Sequence, residues 1–147
     1  MNISKFTQKS VQAVQDLEKV AYEYGNQEIE QEHLLYTLLT QEDSLILKLI
    51  EKMEINRDYF IDTVKKALDA KVKVSGGELR FGQYLNKALV NAEDEAKAMG
   101  DEYVSVEHLF LALLKYPSPS MKKSGANLAL QKSASCRHFP QYVETSV

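Results

Sequence analysis

The chain repeats itself. Sliding the sequence by 75 positions lays residues 6–39 onto residues 81–114 without a gap, and 11 of those 34 positions are identical. Phe6 falls on Phe81, Gly25 on Gly100, and Glu32-His33-Leu34 on Glu107-His108-Leu109, with Ile29 opposite Val104 as a conservative pair. A period of this size marks one helical unit built twice, each copy offering the other an apolar face. The chain is thereby constrained to two pseudo-symmetric lobes, and the groove between them is the first place to expect function.

Each copy reads as helical. Apolar residues at Phe6, Ala13, Val14, Leu17, Val20, Ala21 and Tyr24 step by three and four, which predicts a helix over 4–24 with Gly25 as its left-handed stop. A second helix is expected over 30–40, with Glu30 and Glu32 in the first turn and Leu34, Leu35, Leu38 and Leu39 forming its apolar face. Asp43 or Ser44 can cap a third helix over 45–53. Asn56 can cap a fourth that turns Phe60, Ile61, Val64, Ala67 and Leu68 inward. Strand signals are nearly absent: residues 71–74 alternate briefly beside Ser75-Gly76-Gly77, which reads as the joint between copies.

The second copy opens the same way, with Phe81, Leu85, Ala88, Leu89, Ala92, Ala96 and Met99 in the stripe, Gly100 as the stop and Ser105 as the next N-cap. Beyond Lys123 the projection fails. Leu47 projects onto Lys122 and Ile50 onto Gly125, and Pro140 falls opposite Lys65 inside the fourth helix, where proline costs about 3 kcal/mol. The expectation is a domain over 1–123, with repeat one at about 1–75, an incomplete repeat two at about 76–123, and an atypical, disordered or foreign tail over 124–147.

Composition excludes several functions. A net charge of −3 carries no strong field for nucleic acid. The longest apolar run, 109–114, is far too short to cross a bilayer, and the first residues lack a signal-peptide core. With Cys136 as the single cysteine, no internal disulfide forms, and the expected location is the cytoplasm.

Catalytic motifs are missing too. The Glu-His-Leu element has no second histidine four residues on, so a zinc helix is excluded and both histidines are expected to bond locally at helix starts. There is no nucleophile elbow and no phosphate loop. A helix-turn-helix reading founders on the acidic start of each second helix, which would repel phosphate. The connection 100–105 is left with two readings for Asp101 and Glu107. They compensate the helix dipole and solvate the surface, or they form a polar rim beside an inter-repeat groove.

The opening Phe6-Thr7, the Gly-Asp-Glu-Tyr-Val-Ser-Val-Glu-His-Leu run at 100–109, and the duplicated layout resemble the N-terminal Clp repeat domain that precedes the ATPase rings of Clp-family chaperones. Asn26-Gln27, the 44–57 segment and 116–120 look most like the ClpB type. The resemblance implies an all-α fold of two four-helix repeats. It also implies a non-catalytic module without cofactors, flexibly joined to ATPase rings, that engages exposed hydrophobic segments of unfolded or aggregated polypeptides. The family's polar cluster matches Thr7, Asp101 and Glu107 here. In ClpC-like relatives, acidic residues at the positions of Glu32 and Glu107 help bind adaptor proteins or phosphorylated arginine, which is the alternative function.

Overall fold

The computed structural model describes residues 3–134. A 3-10 turn at Ile3–Lys5 leads into α1 (Gln8–Glu23), followed by β1 (Glu28–Ile29), α2 (Gln31–Thr40), α3 (Leu45–Lys52) and α4 (Arg57–Asp69). Repeat two supplies β2 (Arg80–Phe81), α5 (Gln83–Ala98), α6 (Val106–Lys115), α7 (Pro119–Lys122) and α8 (Gly125–Ala134). The all-α, duplicated architecture is as expected from the repeat.

Local signals explain most boundaries. Gly25 and Gly100 both take positive φ, at 69° and 74°. Each ends its helix in the same paired motif: Gly25 N–H bonds to Tyr22 O and Asn26 N–H to Ala21 O, as Gly100 N–H does to Lys97 O and Asp101 N–H to Ala96 O. Ser44 Oγ caps α3 by accepting Leu47 N–H at 3.1 Å, and Asn56 Oδ1 caps α4 by accepting Tyr59 N–H at 2.9 Å. On α4, Phe60, Val64 and Leu68 are buried, while Ile61 and Ala67 are only half-buried.

The first helix starts later than its periodicity suggests, because Phe6 is drawn into extended pairing. Phe6 bridges Val104 in parallel, and Ile29 pairs with Phe81 in parallel between β1 and β2. These are the same contact taken twice, since the 75-residue period carries Phe6 onto Phe81 and Ile29 onto Val104. Each repeat inserts its opening phenylalanine beside the other's pre-helix residue. Thr7 N–H reaches Val104 O at 3.0 Å, and its counterpart Gly82 N–H reaches Ile29 O at 2.8 Å. Two-residue strands carry almost no alternation to read, so the sequence hides them.

The core is centred on α2 and α6. Every residue of α6 from Val106 to Leu114 is buried, and α2 buries Leu34, Leu35, Leu38 and Leu39. Each fully buried large side chain contributes about 1.5–3 kcal/mol. Much of the surface where the repeats meet is thus taken up by packing around α2 and α6.

Helical structure continues past Lys123, into the segment expected as a tail. Pro119 opens α7, where its missing N–H is harmless, and α8 follows with Ala126 and Leu130 buried behind Met121. Gly125 lies so close to α4 that a Cβ there would meet Thr63 Cγ2 at 2.8 Å. Gln131 Nε2–H donates to Leu114 O at 2.9 Å, satisfying a carbonyl near the end of α6. The strict period failed because Arg57, the first residue of α4, projects onto Lys132, whereas α8 begins at Gly125. Cys136, Pro140 and the rest of the expected tail, residues 135–147, lie outside the described residues.

Candidate functional site

Glu107 stands in the first turn of α6, behind the N-cap Ser105, where the helix dipole favours a carboxylate. It is 7% exposed. Its side chain nevertheless borders two grooves. One, of about 550 Å³, is lined by Thr7, Ser44, Leu45, Lys48, Ser105 and Val106. The other, of about 240 Å³, is lined by Met99, Asp101, Tyr103, Ser105 and His108. The two lysines on the larger groove are engaged elsewhere: Lys48 Nζ pairs with Asp43 at 3.0 Å and Lys9 Nζ donates to Glu42 O at 2.8 Å. Among the described residues the Glu107 carboxylate has no side-chain partner.

Thr7 and Asp101 already do structural work. Thr7 Oγ1 accepts Ser10 N–H at 3.2 Å and so caps α1. Ser10 Oγ donates its single proton to Val104 O at 2.8 Å, so the 2.8 Å contact between the two hydroxyls is a donation from Thr7. The Thr7 proton is therefore spent inside the fold, and the hydroxyl has only acceptor capacity left. Asp101 is half-exposed and accepts the Nε2–H of His108 at 2.8 Å. His108 Nδ1 in turn accepts Ser105 N–H at 2.9 Å, which holds the ring against the start of α6.

The dyad-related site is built differently. His33 Nδ1 accepts Glu30 N–H and Nε2 meets Asn26 Oδ1, both at 2.9 Å. Both histidines thus bond locally at helix starts, as expected. Burial, followed by the Lys71 charge, pushes His33 down to about 4. Glu32 is 3% exposed and is paired, unlike Glu107. Its Oε2 receives Lys71 Nζ at 3.1 Å and Ser120 Oγ at 2.8 Å. Lys71 also reaches Glu30 at 2.8 Å. A groove of about 440 Å³ lies over this cluster, lined by Asn26, Glu30, Lys71, Val72, Arg80 and Ser120.

The structure thus gathers Thr7, Asp101 and Glu107 around adjoining grooves and sets Glu32 apart. Sequence reasoning missed Leu45, Met99 and Tyr103, which supply apolar surface there; Met99 is 43% and Tyr103 49% exposed. Their one signal was apolar side chains flanking an acidic turn. No group of three metal-ligating side chains forms among the described residues, and none of their helices is long and apolar enough to cross a membrane.

Duplicated four-helix repeats, joined by exchanged parallel bridges and carrying an acidic second-helix start in each copy, define a class of helical repeat module. The family model for the Clp repeat (R) N-terminal domain matches residues 5–131, and the chain belongs to that family. It is 37% identical over 126 residues to the chaperone protein ClpB of Nitratidesulfovibrio vulgaris, an alignment covering 82% of this chain and 15% of that one. The chain therefore spans about a seventh of the length of that curated relative. Among solved structures, the Hsp104 N-terminal domain of Candida albicans superposes with a TM-score of 0.72 at 19% identity, covering 90% of this chain and 91% of that one. A ClpV N-domain in complex with a VipB peptide gives 0.73 at 19% identity, with coverages of 97% and 89%.

Proposed function

We propose that this domain is the non-catalytic substrate-recognition module of an ATP-dependent, ClpB-type disaggregase, and that it binds exposed segments of unfolded or aggregated polypeptides at the Glu107 grooves. One observation carries the reading: the Glu107 carboxylate borders two grooves, is open to them rather than sealed in the interior, and accepts no hydrogen bond from another side chain among the described residues. A carboxylate open to a groove accepts hydrogen bonds from a polypeptide's N–H groups or cationic side chains, and bonds to a charged acceptor are among the stronger ones. Leu45, Met99 and Tyr103 give the same grooves apolar surface for the side chains between those groups. The peptide bound by a ClpV N-domain of the same fold supports polypeptide as the ligand class. Nucleotide chemistry would belong to the attached rings.

The second reading, a ClpC-type module for adaptors or phosphoarginine, would use Glu32 and Glu107 alike. Lys71 on Glu32 weighs against it. Titrating a denatured test protein, with phosphoarginine as competitor, separates the two. Binding that phosphoarginine leaves untouched supports the disaggregase reading, and full competition overturns it.

A further inference from the structure

The period that carries Gly25 onto Gly100 carries Tyr24 onto Met99. Both residues end the first helix of their repeat, yet they are sheltered differently. The Tyr24 ring packs edge-on against Tyr36 at 5.6 Å, with Lys73 Nζ over its face at 5.5 Å. In repeat two the place of Tyr36 is taken by Leu111, and Met99 stays 43% exposed on the smaller Glu107 groove.

The backbone holds Met99 there. Its N–H donates to Glu95 O at 3.0 Å, and the N–H groups of Gly100 and Asp101 close the end of α5. A flexible, polarizable thioether suits a groove that meets varied side chains. It is also oxidisable. Of the three methionines among the described residues, Met53 is 6% exposed and Met121 is fully buried, so an oxidant in solvent reaches Met99 ahead of the other two.

We infer that Met99 is an oxidation site through which a hydroperoxide closes the smaller groove to polypeptide. The thioether sulfur gives an electron pair to one peroxide oxygen. An S–O bond forms, the O–O bond breaks, and the proton on the transferred oxygen joins the departing oxygen, which leaves as water or an alcohol. The sulfur is oxidised by two electrons to the sulfoxide, and the peroxide is reduced. The new oxygen only accepts hydrogen bonds. Asp101, Glu102 and Glu107 on the same groove are acceptors too, and His108 Nε2–H is already given to Asp101 at 2.8 Å. Oxidation therefore replaces apolar surface with a polar group that a bound apolar side chain must strip of water. Reduction of the sulfoxide restores the thioether, so the change is reversible. The inference rests on reading the Glu107 grooves as the polypeptide site.

The test uses the whole 147-residue chain. Wild type and Met99→Leu are treated with hydrogen peroxide, then with a thiol reductant, which reverses sulfenic acid or disulfide at Cys136 and leaves the sulfoxide. Mass spectrometry of peptides locates the added oxygen, and binding of a denatured test protein is measured before and after. The inference expects oxygen on Met99 before Met53 and Met121, wild-type affinity lowered by about tenfold as buried thioether surface is lost, and recovery with methionine sulfoxide reductase. Met99→Leu, whatever its starting affinity, should keep that affinity through the treatment. Full oxidation of Met99 with unchanged affinity overturns the inference. So does an equal loss in Met99→Leu, or oxidation of Met53 or Met121 as fast as Met99. Untreated Glu107→Gln judges the polypeptide site separately. Affinity equal to wild type there overturns both readings, whereas weakened binding beside an unaffected oxidised wild type overturns the inference alone.

Discussion

His33 faces Asn26 across 2.9 Å, and at the dyad-related place His108 faces Asp101 across 2.8 Å. The duplication kept the geometry and exchanged a neutral amide for a carboxylate. In repeat one, a fully buried ring receives Glu30 N–H on Nδ1, lies near Lys71 and Lys73, and is lowered to about 4, with Glu32 the opposing influence. A histidine whose folded pKa lies below its unfolded value near 6.5 contributes stability fully above the unfolded pKa. That stability is lost as pH falls toward the folded value. With His33 at about 4, the loss is about 2 kcal/mol by pH 5. Urea midpoints between pH 7 and pH 5 should fall accordingly in wild type and much less in His33→Gln, whatever its absolute stability. Parallel profiles would exclude His33 as the source.

Thr7→Ala should cost about 1 kcal/mol through the lost α1 cap, whereas Thr7→Ser should be nearly neutral because Ser10 N–H and Ser10 Oγ keep their partner. Denaturant unfolding of both variants checks this, and any loss of ligand binding by Thr7→Ala is to be measured well below its midpoint. A Thr7→Ser chain as unstable as Thr7→Ala would contradict the capping role.

The last helix is expected to be integral. Leu130 is fully buried and Leu128 is 65% exposed on the same helix. Leu130→Ala should cost about 2–5 kcal/mol, and Leu128→Ala less than about 0.5 kcal/mol. Equal, negligible effects in thermal unfolding would mean α8 does not belong to the folded unit.

Gly125 should be coupled to Thr63. Adding a methyl at position 125 forces a contact with a β-branched side chain, an overpacking that costs about 1–3 kcal/mol. Thr63→Ser removes the contacting methyl while keeping the hydroxyl bond to Tyr59 O at 2.8 Å. A double-mutant cycle on Gly125→Ala and Thr63→Ser should give a coupling above about 0.5 kcal/mol. Simple additivity would refute the close approach.

The duplication, the glycine stops, the Ser44, Asn56 and Ser105 caps and the local role of both histidines were all readable, because each rests on spacing or a local hydrogen bond. Three features were not. The Phe6–Val104 and Ile29–Phe81 pairs are long-range contacts between single residues. The α7–α8 pair was hidden because a shortened third helix shifts the fourth out of the period. The unequal filling of Glu32 and Glu107 depends on Lys71 and Ser120, which are remote in sequence from the carboxylate they reach. Of the candidate residues, Thr7, Asp101 and Glu107 were grouped by resemblance, and the fold brings them to adjoining grooves. Nothing in their spacing indicated that the Thr7 proton is already committed.

The central claim is that the unpartnered Glu107 carboxylate, and not its paired twin, receives polypeptide. The direct measurement is the affinity of wild type and Glu107→Gln for a denatured test protein, with circular dichroism showing both to be folded. A hydrogen bond to a charged acceptor is worth about 1.5–3 kcal/mol, so Glu107→Gln should weaken binding by about tenfold to a hundredfold. Equal affinity for the two proteins would contradict the account.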